Sequence, residues 1–99
     1  MLSAKLKTLL AVSEQQNFTK AAELLSLTQP AVSHHINQLE EEFGVTLFVR
    51  GKGGLKLTAE GEIVVHYARR MAALYNRLQT DLSNVEKHIT KLRIGITHT

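Results

Sequence analysis

Residues 17–50 read NFTKAAELLSLTQPAVSHHINQLEEEFGVTLFVR, and the order of signals in this stretch decides the fold. Thr19 is a capping residue followed by Ala21, Ala22, Leu24 and Leu25, which predicts a short helix over Lys20–Leu25 that breaks at Ser26-Leu27. Thr28 is a second N-cap, and Pro30 falls in the first turn of the helix it opens, where the missing N–H costs nothing. Gly44 stops this longer helix at about Phe43. At about 100° per residue, Val32, Ile36, Leu39 and Phe43 share one face and predict a core contact. Pro30, His34, Asn37, Gln38 and Glu41 lie opposite, with Ala31 and Ser33 at the margins and Gln29 at the exposed tip. The outward N-terminal half is small, polar and free of carboxylates, which suits a DNA major groove of limited width.

Outward from this stretch the chain is equally patterned. Leu6, Leu9, Leu10 and Val12 or Ser13 put an apolar stripe on a helix spanning Leu2 to about Gln15. Val45–Val49 is β-branched and aromatic, and Leu55-Lys56-Leu57 alternates beyond the turn Arg50-Gly51-Lys52-Gly53-Gly54, which predicts a small hairpin. Two helices, a short turn and a following hairpin make a winged helix-turn-helix. Thr58 caps the next helix, Glu60 and Glu62 suit its first turn, and Gly61 is tolerated at about 1 kcal/mol.

From Glu62 to about His88 there is neither proline nor glycine. Ile63, Tyr67, Met71, Leu74, Leu78, Leu82 and Val85 recur every three or four residues as a narrow apolar stripe. A helix of that length asks for more partner surface than the rest of the chain offers, so this stripe is assigned to dimerisation. A helix folded back on its own domain is the alternative. Leu92–Thr97 alternates with period two and predicts a strand that has no partner here, the start of a further domain. The expected organisation is a DNA-binding domain over 1–58, a linker helix over 59–89 and a hinge with a first-strand stub over 90–99. The expected fold class is mainly α: a winged helix-turn-helix with a two-stranded wing and a long C-terminal dimerisation helix.

Composition agrees without deciding. The chain has 99 residues, a formal net charge of +3 and no cysteine, which removes disulfides, thiolate zinc sites and a cysteine nucleophile. No apolar run approaches the ~18 residues of a membrane span, and the N-terminus lacks the apolar core of a signal peptide. A pI near 9.5 favours an anionic partner, yet residues 1–58 carry only six Lys/Arg against five Glu, so basic groups must be placed rather than massed.

The paired alanines, the Gln-Pro opening of the third helix, Leu-Glu before a glycine, Leu-Phe-x-Arg and Leu-Thr-x-x-Gly together resemble the N-terminal domain of LysR-type transcriptional regulators. The resemblance covers residues 1 to about 90. It implies sequence-specific binding of a pseudo-palindromic duplex by a homodimer paired through the long helix, in the bacterial cytoplasm. It also implies an effector-binding domain beyond this segment, a small-molecule effector for the longer protein, and tetramers of it; this segment itself needs no cofactor. Carried over residue by residue, Gln29, Pro30 and Ser33 face bases or nearby sugar-phosphate, Thr28 offers a helix end to a phosphate, and Arg50 and Lys52 belong to the wing. Position 34, often a long basic or amide residue in that family, is His34; Asn37 completes the outward face. Lys20 reads equally as a phosphate contact or a solvated helix residue.

Other chemistries fare poorly. His34 and His35 diverge by about 100° and have no ligand at i+4, so a metal site is not expected. Gly51-Lys52-Gly53-Gly54 lacks the spacing and the strand-to-helix context of a phosphate loop. Ser33 with His34 has no orienting acid, so no nucleophile and no enzyme is expected. Arg69, Arg70 and His66 read as solvated residues of the long helix. A winged helix used for protein–protein contact would carry larger apolar residues where this chain has Pro30, Ser33, His34 and Asn37.

Overall fold

The computed structural model describes the backbone of residues 3–95 and the side chains of residues 3–85. Ser3 opens helix α1 (Ala4–Gln15) by accepting a hydrogen bond from the Leu6 amide at 3.2 Å. Gln16 closes it in the left-handed region at φ 53°. Helix α2 (Phe18–Leu25) follows at once, because the Asn17 side chain accepts from the Lys20 amide at 2.8 Å. Asn17, not Thr19, is therefore the cap, and α2 starts two residues earlier than the sequence pattern suggests. Asn and Thr both satisfy an orphan amide; starting at Phe18 also brings that ring, half-buried, against the core.

Helix α3 (Gln29–Phe43) begins at Thr28, whose hydroxyl accepts from the Ala31 amide at 3.2 Å, and ends where Gly44 adopts φ 67°, a conformation that strongly favours glycine. Val32, Ile36 and Leu39 are buried as the helical wheel predicts. Phe43, assigned to the same face, is 44% exposed. It is the last helical residue, and the first turn of α1 already lies beside its neighbour Glu42, with Lys5 Nζ 3.6 Å from that carboxylate. The face outruns its cover there.

The wing pairs β1 (Phe48–Gly51) antiparallel with β2 (Gly54–Leu57) in the register Phe48 to Leu57, Val49 to Lys56 and Arg50 to Leu55. Arg50 is thus a strand residue, and the turn proper contracts to Lys52-Gly53.

Leu47 is the joint between the helix-turn-helix and everything after it. Its side chain is fully buried, its amide donates to Glu40 Oε2 at 2.7 Å, and its carbonyl accepts from the Thr58 amide at 2.9 Å. The Thr58 hydroxyl donates to the Thr46 carbonyl while accepting from the Gly61 amide at 2.8 Å, so one side chain ties the wing to the start of helix α4 (Ala59–Gly95). Gly61 is more than tolerated here. A Cβ on it would collide with the Leu47 carbonyl oxygen and stand 2.9 Å from Leu57 Cδ2.

Helix α4 enters the core through Val65 and Ala68, with Val64 half-buried beside them, and leans on α1 and β2. Ala72 and Tyr75 are half-covered; from Asn76 to Val85 every residue is exposed. The helix runs on to Gly95 and takes in residues 92–95, which alternation assigns to a strand. A strand must find its hydrogen bonds on a neighbour, whereas a helix supplies them from its own backbone. The remainder of the expected strand, residues 96–99, lies outside the described residues.

Candidate nucleic-acid interface

The three buried residues of α3 hold one face of the helix in the core, so the opposite face is presented on a fixed support. Pro30, His34 and Asn37 are exposed on it, Ser33 is half-buried at its edge, and Gln29 is exposed at the tip. Gln29 Nε2 donates to Ser33 Oγ at 3.1 Å, which holds the two side chains in one arrangement. The first turn of α3 contains no acidic residue, so the positive end of its dipole is not neutralised by the helix's own first turn. Thr28 serves there as the cap.

The wing supplies a cation to the same side. The Arg50 guanidinium lies 5.9 Å from the centroid of the Phe18 ring, and Phe18 in turn meets Phe48 edge-on at 6.1 Å. This aromatic pair braces an exposed arginine. Arg50, Gln29, Asn17 and Thr19 border one polar depression of about 210 Å³ between α2, α3 and the wing. The structure therefore brings together Gln29 and Arg50, which are far apart in sequence. Lys52 is exposed at the tip of the hairpin and Lys20 is exposed on α2; neither borders that depression.

Two supports escaped the sequence reading. Thr8, buried on α1, shares a 2.7 Å hydrogen bond with His35 Nδ1 and donates to the Ala4 carbonyl at 3.0 Å, so it pins α3 to α1 from behind. Phe18 is the other. The signal for it was an aromatic residue directly after the polar run Gln15-Gln16-Asn17, although nothing local says that its partner is Phe48. No buried side-chain nitrogen or oxygen among the described residues lacks a hydrogen-bond partner, and no three of His, Asp or Glu there are grouped to hold a metal ion.

On α4 the seven stripe residues, Ile63, Tyr67, Met71, Leu74, Leu78, Leu82 and Val85, are all between 45% and 63% exposed. Single exposed apolar residues are ordinary, but a continuous row of seven is not. Arg69, Arg70 and His66 line a different depression, beside Leu57 and Glu62. No helix among the described residues is long and apolar enough to cross a membrane.

Comparison with known proteins is consistent with this geometry. Residues 3–62 match the family described as bacterial regulatory helix-turn-helix protein, lysR family. The HTH-type transcriptional regulator HdfR of Escherichia coli O139:H28 (strain E24377A / ETEC) is 41% identical over 83 residues, which are 84% of this chain and 30% of that protein. The chain thus spans under a third of the length of the curated relative it matches. Among solved structures, the BenM DNA-binding domain in complex with catB site 1 DNA superposes with a TM-score of 0.78 at 35% identity, over 83% of this chain and 92% of that one. The CbnR DNA-binding domain in its DNA complex gives a TM-score of 0.73 at 35% identity, over 84% of this chain and 94% of that one. The chain belongs to the LysR family and carries its winged helix-turn-helix DNA-binding domain.

Proposed function

We propose that this LysR-family domain binds duplex DNA as a homodimer, reading sequence with the outward face of α3, and so regulates transcription. The observation that carries the reading is that face. It is polar, largely exposed and held from behind by Val32, Ile36 and Leu39, with an aromatic-braced arginine beside its tip. Gln29 and Ser33 contact base edges or the adjoining backbone; His34 and Asn37 extend the contact along the groove. Arg50, Lys52, Lys20 and the Thr28 end of α3 meet phosphates, which fix register without reporting sequence. The stripe from Ile63 to Val85 pairs with the same stripe of a second chain, and two reading helices then address two halves of a pseudo-palindromic site. Tetramers and a cytoplasmic setting extend this proposal to the longer protein.

The test is an anisotropy titration at two salt concentrations with half-site libraries and random competitor DNA. Affinity should fall steeply as salt rises, and a selected sequence should outcompete random DNA. Absence of salt-sensitive binding sinks the proposal.

A further inference from the structure

Helix α3 contains neither lysine nor arginine; its fixed charges are Glu40, Glu41 and Glu42. For a helix that approaches a polyanion this is an unusual balance, and the groups on it able to become cationic are His34 and His35. The two are not equivalent. His35 is half-buried and its Nδ1 is engaged with Thr8 of α1. His34 is exposed on the outward face, between Pro30 and Gln38 one turn to either side. We propose that His34 makes DNA binding by this chain proton-linked, its imidazolium supplying a cation partway along helix α3, which has none of its own and receives only Arg50 of the wing at its tip. The inference rests on the reading of α3 as the DNA-contacting helix.

No carboxylate among the described residues is placed to compete with DNA for the His34 ring. On α3 itself, Glu40 is committed to the Leu47 amide and Glu42 faces Lys5, while Glu41 lies two turns beyond His34. Of the helices packed on α3, α1 brings Lys5, Lys7 and Glu14, and α2 brings Lys20 and Glu23. Lys5–Glu42 is the one ion pair among the described residues, so no carboxylate stands within ion-pairing distance of His34. A histidine changes charge between about pH 5 and 8. Nearby phosphates and guanine acceptors favour the charged ring, so the bound state holds the proton to higher pH than the free state. Binding then takes up a proton, and affinity falls as pH rises through that window. The ligand chemistry is an electron-rich acceptor, either guanine N7 and O6 or a backbone phosphate.

The experiment measures affinity at fixed ionic strength from about pH 5.5 to about pH 8, on a duplex selected from random DNA and on random duplex. The wild type should weaken by up to about tenfold per pH unit per chain. His34→Gln should flatten the profile at the weak level, and His34→Arg should flatten it at the strong level. His66→Gln, on α4, should keep the wild-type slope. If His34→Gln retains that slope, proton linkage through His34 is wrong. If no salt-sensitive binding appears at any pH, the DNA-binding reading itself has failed, which is a separate result. A slope equal on selected and random DNA assigns the acceptor to phosphate; a slope that vanishes when one G·C pair is exchanged for A·T assigns it to guanine. Both of those outcomes support the linkage.

Discussion

Helices α3 and α4 are built alike and finished differently. Each buries one face in the same core, through Val32, Ile36 and Leu39 in the first and Val65 and Ala68 in the second. The exposed face of α3 is then polar, with Gln29, His34 and Asn37, whereas that of α4 is a row of large apolar residues from Ile63 to Val85. A polar face that stays wet can exchange its water for the hydrogen-bonding edge of a nucleic acid at little cost. An apolar face gains only by meeting another apolar surface. The contrast is the one that the proposed function uses, with nucleic acid as the partner of one helix and a second chain as the partner of the other.

The largest expected effect comes from breaking the α4 side of this contrast. Replacing both Leu74→Asp and Leu78→Asp should leave a folded monomer in sedimentation, since neither residue belongs to the core. Affinity for a two-half-site duplex should drop by about 10²–10⁴-fold, the gain that linked sites provide, with single half-site binding unchanged. A variant that stays dimeric would remove the assignment of the stripe. Next, Gly61→Ala should lower stability by about 1–3 kcal/mol in urea, because the methyl group meets the Leu47 carbonyl where α4 presses on the head. An unchanged midpoint would mean that this joint yields more easily than its geometry suggests.

Breaking the α3 side is subtler. Gln29→Ala or Ser33→Ala should cost about 1–3 kcal/mol against one base pair while leaving random-sequence binding near its original level. Equal losses on selected and random DNA would refute base reading by this face. The smallest effect belongs to the wing tip. Lys52→Ala should weaken all duplexes similarly and reduce the salt slope by about 1, as removal of a single phosphate contact does.

Much of this contrast is legible in the amino-acid sequence, and what is not has a common cause. Spacing alone reveals the buried face of α3 and the stripe of α4, because both follow from helical periodicity and side-chain polarity. Caps at Thr28 and Thr58 are legible for a similar reason: a hydroxyl before an apolar-periodic run has few better uses. Asn17 and Thr19 are both competent caps, and the choice falls to where Phe18 must sit, which is a tertiary matter. Glu40 is the first of three consecutive glutamates at the end of α3, yet it alone holds the Leu47 amide seven residues away. His35 diverges from His34 by about 100° on the wheel, but nothing local says that it meets Thr8 on another helix. Gly61 looks like an imperfect helix residue and is instead the point where two backbones nearly touch. Each miss concerns a contact between elements, and no local pattern encodes it. At the chain's far end the opposite holds: alternation at Leu92–Thr97 is a clear local pattern, but without a neighbouring strand the backbone stays helical through Gly95.

The bare stretch of α4 beyond Tyr75 also acts as a gauge. One residue inserted there would turn all that follows by about 100° and break the stripe in two. Seven residues would bring it back to within about 20° and lengthen the helix by about 10 Å. That is near the rise of three base pairs at 3.4 Å each. Length changes in this segment are therefore quantised: those that keep the stripe on one face fall near whole numbers of turns, at about 7, 11 or 18 residues, and under the proposed pairing each would reset how far apart two heads stand.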